Sequence, residues 1–234
     1  MKLKLLAAAA ALSMSLAGAA SAAGYDFIDA IDGSGPLDES IYSTFNTGDY
    51  AYFAGPAITL EGYRNYLDDQ NRTKVYAYAD AGTAGFGVCA SPTSASYVGV
   101  AKPGPNNVCS SSSDDSIQKN VFEYLVITAV ADGTLIESIT VNANHDGNLL
   151  SSSLVDVNGS LYSGDTTGGF AGGYLTVTLN LVLNAGQSIY LTPSSDKHLY
   201  LSSMVVSQVP LPAAGFLLLG GLGGLAALKR RKKA

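Results

Sequence analysis

Residues Tyr174 to Leu183, YLTVTLNLVL, form the most regular stretch of the chain. Apolar side chains stand at every second position from Leu175 to Leu183, and most of the residues between them are polar or aromatic. Because successive side chains of a β-strand point to opposite faces, this period of two predicts a strand with one buried and one mostly wet face.

Shorter runs with the same, noisier alternation lie on both sides of this stretch. They are Thr73–Ala79, Val121–Ala129, Ile136–Asn142, Ser153–Val157, Gln187–Thr192 and Leu199–Val206. Turn signals separate many of them: Asp132-Gly133, Asp146-Gly147, Asn158-Gly159, Gly168-Gly169 and Asn184-Ala185-Gly186. Near Leu60–Leu67 a short helix is compatible with the pattern. Strands at this spacing predict an all-β fold, an antiparallel β-sandwich of jelly-roll type.

The C-terminal end, residues 209–234, differs in kind from this body. Val209-Pro210-Leu211-Pro212 reads as a stiff hinge, because each proline fixes φ and lacks an N–H donor. Residues 213–228 carry no charge and predict a short transmembrane helix of roughly 24 Å. The basic cluster at 229–233 predicts a stop-transfer signal with a cytoplasmic C-terminus. Its members are Lys229, Arg230, Arg231, Lys232 and Lys233.

This three-part end resembles the PEP-CTERM class of sorting signals, in the VPLPA variant. The resemblance implies that an exosortase of a Gram-negative bacterium recognises Val209, Pro210, Leu211, Pro212 and Ala213 and processes the chain near them. Leu211 stands where the commoner form of the motif has glutamate. Gly85-Phe86-Gly87-Val88, and the last strand leading into the motif, look like a pattern that recurs in the exported domains of this class.

The N-terminal end carries a second targeting segment. Lys2 and Lys4 precede an apolar core from Leu5 to Leu16 and a run of small residues, which predicts a signal peptide over residues 1–23. Cleavage fits after Ala22 or after Ala23, and we favour the second. The two ends then bracket one exported domain, residues 24–208, which signal peptidase would release on one side and the exosortase on the other.

The exported domain is strongly acidic. It keeps six Lys and Arg residues and all 19 Asp and Glu residues, a formal charge of −13. Such a surface repels nucleic acid, so we expect no nucleic-acid partner. Its two cysteines, Cys89 and Cys109, would lie in an oxidising compartment, and we expect them to form a disulfide.

Residues with catalytic or metal-binding chemistry are few. No GxSxG, HExxH or P-loop motif is present, and His145 and His198 stand in no recognisable catalytic frame, so we expect no enzyme. The best-motivated cofactor is Ca²⁺, because Asn142, Asn144 and Asp146 occupy the first, third and fifth positions of a partial EF-hand pattern. Ser153 replaces the glutamate of position 12, and a hairpin turn explains the segment better.

Two functions from different classes remain open on the sequence. The first is a surface or extracellular-matrix protein without catalytic activity. The second is a calcium-assisted module that binds exopolysaccharide, for which exposed tyrosines would stack on sugar rings. The candidate tyrosines are Tyr162, Tyr174, Tyr190 and Tyr200.

Overall fold

The computed structural model describes residues 22–32, 37, 40–80, 84–90, 109, 116–143, 155–163, 165–167, 173–194 and 198–209. Compactness divides the chain into two units, Ala22–Gln208 and the chain ends Met1–Ser21 with Val209–Ala234. Apart from Val209, the unit of the chain ends lies outside the described residues. Among the described residues of the first unit, nearly all regular secondary structure is antiparallel strand, so the all-β class predicted from the sequence is confirmed.

Fifteen strands and one short α-helix are present among the described residues. The helix is α1 (Phe27–Asp32), and a 3-10 turn covers Thr47–Asp49. The strands are β1 (Ala22–Asp26), β2 (Ser40–Tyr42), β3 (Phe45–Asn46), β4 (Ile58–Arg64), β5 (Thr73–Asp80), β6 (Gly85–Cys89), β7 (Ile117–Gln118), β8 (Glu123–Ala129), β9 (Thr134–Asn142), β10 (Val155–Val157), β11 (Ser160–Tyr162), β12 (Asp165–Thr167), β13 (Tyr174–Leu183), β14 (Ser188–Pro193) and β15 (His198–Gln208).

Eleven of the strands follow one hydrogen-bonded path in the order β11-β10-β14-β8-β4-β5-β6-β15-β9-β13-β12, and β1, β2, β3 and β7 pair with members of it. Strand β5 joins its two halves, because Thr73–Val75 pair with β4 and Tyr76–Asp80 pair with β6. We call the strands before β5 in this order the first half and those after it the second half. Strand β1 pairs with β15 over its whole length, so the first and last strands of the domain are neighbours.

The main apolar core receives side chains from both halves. Leu60, Leu125 and Leu191 enter it from β4, β8 and β14, while Val141 and Leu201 enter it from β9 and β15. Each is fully buried, and burying a side chain of this size contributes roughly 1.5–3 kcal/mol. The alternate side chains of these strands point to the opposite faces of the sheet, which are partly exposed on β4 and β14 and largely covered on β8 and β15.

Two glycines permit close approaches that the topology requires. At Gly62 of β4, an added Cβ would lie 2.3 Å from the carbonyl oxygen of Tyr76, at the point where β5 leaves the first half. At Gly85, which has a φ of +104°, an added Cβ would lie 2.4 Å from the carbonyl oxygen of Leu201. Gly85 thereby lets Phe86 enter the core, where its ring centroid is 4.6 Å from that of Phe45.

Seven strands were predicted from the sequence. Tyr174–Leu183 is confirmed without change, and the other six predicted runs each overlap a strand, with shifts at their ends. The helix near Leu60–Leu67 is wrong, because Ile58–Arg64 is strand β4. The turns at Gly133, Gly159 and Gly186 have the positive φ that their glycines predict.

The predicted disulfide is confirmed. Cys89, the last residue of β6, is bonded to Cys109, and their Cα atoms are 5.8 Å apart. Cys89 is fully buried against Ile41 and Tyr78 in a small second apolar cluster. The bond ties residue 109 to the edge of that cluster.

Candidate functional site

Four tyrosines form a contiguous patch on the outward side of the first half. We call it the tyrosine cluster; its members are Tyr63, Tyr66, Tyr124 and Tyr190. Neighbouring rings have centroids between 5.1 and 6.1 Å apart, with tilted or edge-to-face planes. This is the spacing at which aromatic side chains attract one another beyond their burial.

Strand order brings the cluster together. Tyr63 of β4 stands directly opposite Tyr124 of β8, and β14 on the other side of β8 supplies Tyr190. Tyr66 follows β4 in a turn and contacts the rings of all three others. Tyr124 is buried by its neighbours, whereas the remaining three are half-buried and keep part of their rings accessible.

Charged groups surround the cluster. The guanidinium carbon of Arg72 lies 5.5 Å from the Tyr66 ring centroid, which is a cation–π distance. Tyr63 donates a hydrogen bond of 3.0 Å to Glu61, whose carboxylate also accepts from Lys74 and Thr44. These bonds fix the polar edge of the cluster.

Three phenols of the cluster, those of Tyr63, Tyr124 and Tyr190, have a raised pKa. Burial, the hydrogen bond to Glu61 and the Glu61 charge raise the pKa of Tyr63 to about 12. Burial and the charge of Asp156 also raise the pKa of Tyr124 and of Tyr190. These three hydroxyl groups are therefore neutral at physiological pH and stand beside apolar ring surface.

Exposed apolar side chains lie near the cluster, after the end of β4 and before the start of β8. Leu67 is 60% exposed and Phe122 is 55% exposed. Their turns are joined, because the Asn65 N–H donates to the Phe122 carbonyl at 2.9 Å. Phe122 has a φ of +56°, which is an unusual conformation for a bulky residue. An exposed phenyl ring in a strained turn gains little stability there, which favours a role in binding.

A second candidate site is a pocket of about 400 Å³ on the outward side of the second half. Its lining residues come from β1, α1, β9, β13 and β15 and are mostly polar: Asp26, Ile28, Asp29, Thr140, Tyr174, Ser202 and Ser203. Register explains part of this set, since Asp26 pairs with Ser203, and Ser203 pairs with Thr140. A polar row thus crosses three neighbouring strands.

The two carboxylates of the pocket are held in place. Asp26 accepts a hydrogen bond of 3.0 Å from the Asp29 N–H at the start of α1, and Asp29 accepts one from the Tyr52 hydroxyl. This hydrogen bond, followed by burial and the charge of Asp29, raises the pKa of Tyr52 to about 12. Burial, followed by the charge of Asp26, raises the pKa of Tyr174.

The predicted calcium residues are only partly described. Asn142 ends β9 and is 3% exposed; its amide nitrogen donates to the Ala84 carbonyl at 2.9 Å and to Ser202 Oγ at 2.8 Å. Asn144 and Asp146 lie outside the described residues. Among the residues that are described, no group of three His, Cys, Asp or Glu side chains could hold a metal ion. Calcium binding at 142–146 stays a prediction.

The four tyrosines predicted to bind sugar lie in different environments. Tyr190 belongs to the tyrosine cluster and Tyr174 lines the pocket, whereas Tyr162 is half-buried against the core. The expectation that Tyr200 is exposed is wrong, because β15 is covered on both faces there and Tyr200 is 0% exposed. Tyr63, Tyr66 and Tyr124 were not predicted from the sequence, although two tyrosines three residues apart, at 63 and 66, were a usable signal.

A serine and a histidine also come together without forming an accessible site. Ser116 Oγ and His198 Nδ1 are 3.2 Å apart, next to the pairing of β7 with β15. Ser116 is 0% exposed, so a substrate could not reach its hydroxyl in this conformation. The pair joins the start of β15 to the segment before β7.

The sorting signal is almost wholly outside the described residues. Val209 follows the last residue of β15 directly, but Pro210, Leu211, Pro212, Ala213 and the cluster at 229–233 are not described. In the described part of the chain, no helix is both long and apolar enough to cross a membrane. The helix predicted for residues 213–228 lies outside that part.

In comparisons with known proteins, no family model, no curated protein and no solved structure matches the chain.

Proposed function

We propose that this chain is an exported cell-surface or extracellular-matrix protein, delivered by an exosortase-type sorting signal, with a domain that does not act as an enzyme. The observation that carries the proposal is the fit between the compact unit and the targeting segments. The unit Ala22–Gln208 begins beside the expected signal-peptidase site and ends one residue before the VPLPA motif. The finer fold assignment, a jelly-roll-like sandwich, is supported by two sheet halves that share one core.

In this proposal the chain crosses the inner membrane and is held briefly by the helix 213–228 with its C-terminus in the cytoplasm. Exosortase cleavage near the motif then transfers the domain to the cell surface or beyond. Strands β1 and β15 are neighbours, with Ala22 opposite Ser207, so both expected cleavage sites adjoin the same end of the sheet. Processing at either site would therefore leave the core intact.

The test is the mass and location of the product in a bacterium that carries an exosortase. We expect Pro210→Ala together with Pro212→Ala to leave an unprocessed chain in the inner membrane. The matched control is Pro103→Ala together with Pro105→Ala, two prolines outside the motif with the same spacing. Unchanged mass and surface yield of the motif variant would refute the sorting proposal.

The tyrosine cluster favours a second candidate, the binding of exopolysaccharide. It combines ring surface, neutral phenol groups and a cation on one outward face, with exposed Leu67 and Phe122 at its border. Sugar rings bind proteins through such apolar faces and through hydrogen bonds to their hydroxyl groups. Calcium assistance in this candidate would come from residues 142–146.

Binding of the full chain, purified in mild detergent, to polysaccharide from its host would test this candidate with calcium and with a chelator. We expect Tyr66→Ala to weaken binding at least about tenfold, because Tyr66 contacts the other three rings. Tyr66→Phe keeps the ring and should keep most of the affinity. Val182→Ala, at an exposed apolar residue on β13, is the control. Equal binding by all variants would exclude the cluster.

A further inference from the structure

The pocket on the second half has the size and the polar lining of a ligand site. Its volume of about 400 Å³ falls within the usual range for small-molecule pockets, roughly 300–1,000 Å³. It shares no residue with the tyrosine cluster, which lies on the other half of the sheet. Whatever it binds, it would bind independently of that cluster.

Ser202 gives the pocket a buried hydrogen-bond donor. The residue is 2% exposed, and its Oγ accepts from the amide nitrogen of Asn142 at 2.8 Å. Asn142 is itself anchored by a second hydrogen bond to the Ala84 carbonyl. Among the described residues the Ser202 hydroxyl donates to no acceptor, although buried polar hydrogens nearly always find one. A ligand oxygen in the pocket would supply that acceptor.

The carboxylates of Asp26 and Asp29 require hydrogen-bond donors on the ligand. Each accepts a hydrogen bond within the protein, from the Asp29 N–H and from the Tyr52 hydroxyl, and no basic side chain is among the described residues that line the pocket. Ionised carboxylates only accept hydrogen bonds, so the ligand must bring donors. The two negative charges also oppose an anionic ligand within a domain of net charge −13.

Tyr174 and Ile28 complete the lining with apolar surface. The ring of Tyr174 is half-buried, and Ile28 follows the first residue of α1. The ligand therefore has several hydroxyl donors, at least one acceptor and an apolar face. A neutral sugar ring combines these features, because each hydroxyl both donates and accepts and the C–H groups form the apolar face.

We propose that this pocket binds a neutral sugar residue of a polysaccharide, with its hydroxyl groups donating to Asp26 and Asp29, an oxygen accepting from Ser202, and one ring face against Tyr174. The site selects against uronic acids and sulfated sugars, whose charge would meet the two carboxylates. It goes beyond the binding proposed for the tyrosine cluster and uses none of its residues.

The experiment titrates the full chain, purified in mild detergent, with neutral trisaccharides of glucose, galactose and mannose, and with trigalacturonate. We expect at least one neutral trisaccharide to bind and trigalacturonate to bind at least about tenfold more weakly. Ser202→Ala and Tyr174→Ala should each reduce the neutral affinity about tenfold, as expected for a buried hydrogen bond or a lost ring face. Thr178→Ala, on the same outward face of β13 but outside the pocket, is the control.

A double variant tests the selection against anionic sugars. Asp26→Asn with Asp29→Asn keeps the side-chain oxygens that accept from the Asp29 N–H and from Tyr52, and it should reduce the preference for neutral over anionic trisaccharide to less than about threefold. Unchanged melting temperatures show that the variants fold. The proposal is overturned if no neutral trisaccharide binds, if trigalacturonate binds equally well, or if only Ca²⁺ binds. It is also overturned if host polysaccharide binding is lost in Tyr66→Ala while every pocket variant binds all the sugars as the unmodified chain does.

Discussion

Arg64 and Glu123 stand opposite each other on β4 and β8, with a guanidinium nitrogen 2.9 Å from Glu123 Oε1. The Glu123 side chain is fully buried, whereas that of Arg64 is 34% exposed. The pair directly precedes Tyr124 and directly follows Tyr63, so it holds the register of the two strands that carry half of the tyrosine cluster. A structural ion pair thereby positions a candidate binding surface.

Loss of one partner of this ion pair should therefore lower the free energy of unfolding. We expect Arg64→Met to reduce the free energy of unfolding by about 3 kcal/mol, because it removes the Arg64 charge from the buried Glu123 carboxylate. Arg64→Met with Glu123→Gln should be more stable than the sum of the single effects predicts. Urea denaturation of the unmodified chain, the two single variants and the double variant measures the coupling between the two residues. Additive effects would show that the pair does not act as a unit.

The disulfide makes a second prediction about stability. Cys89 and Cys109 close a segment of about 20 residues, for which loss of the cross-link costs roughly 3 kcal/mol. We expect a reductant to lower the melting temperature by about 6–12 °C, given the usual dependence for a domain of this size. In the Cys89→Ala, Cys109→Ala double variant the same reductant should have no effect. A shift in that variant would locate the effect elsewhere.

The pKa of Glu61 predicts how the stability of the fold changes at acidic pH. Burial raises the pKa of its carboxyl, but hydrogen bonds from Lys74, Thr44 and Tyr63 and the Lys74 charge outweigh it, so the pKa lies below the usual 4.5. A carboxylate with a depressed pKa in the folded state stabilises the fold above about pH 4.5, and this stabilisation disappears as the pH falls through the folded-state value.

We therefore expect Glu61→Gln to be less stable than the unmodified chain at pH 7, and the difference to shrink steadily below pH 4.5. Urea denaturation at several pH values between 7 and 3 measures it. Asp69→Asn is the matched control, because the Asp69 side chain is 93% exposed and its nearest cation is 3.9 Å away. A Glu61→Gln deficit that does not change with pH would contradict the assignment.

The sequence predicted the strands with local periodicity and missed those whose pairing is non-local. In β13, alternation over ten residues is a signal that needs no knowledge of neighbours. In β4, Leu60, Tyr63 and Leu67 have helical spacing, so local pattern favoured a helix. The strand forms because it lies between β5 and β8, and Gly62 permits the close approach of β5. Strand β6 was missed for a similar reason, since its two glycines disfavour a strand locally.

The candidate sites depend even more on strand order. Tyr190 and Tyr174 could be named from their strands, but nothing local shows that Tyr190 meets Tyr66 or that Tyr174 lines a pocket with Asp26. These proximities depend on the strand order, in which β14 is adjacent to β8 and β1 is adjacent to β15. Tyr200 shows the converse error, because an alternating pattern does not reveal that both faces of a strand are covered.

Phe122 provides a prediction in which stability and binding move in opposite directions. Its φ of +56° lies in the left-handed region, which costs most residues roughly 1–2 kcal/mol and which asparagine adopts more readily. Because the side chain is 55% exposed, its replacement removes little buried apolar surface. We expect Phe122→Asn to increase the free energy of unfolding by about 1 kcal/mol, measured by urea denaturation.

The neighbouring Val121→Asn is the control for this gain, because Val121 is also partly exposed but is not among the residues with positive φ. If the phenyl ring extends the tyrosine cluster, Phe122→Asn should also weaken polysaccharide binding while it stabilises the fold. Strain retained at a position where asparagine would be more stable is expected when binding requires the side chain. A less stable Phe122→Asn protein would instead mean that the ring serves packing, and it would remove Phe122 from the binding surface.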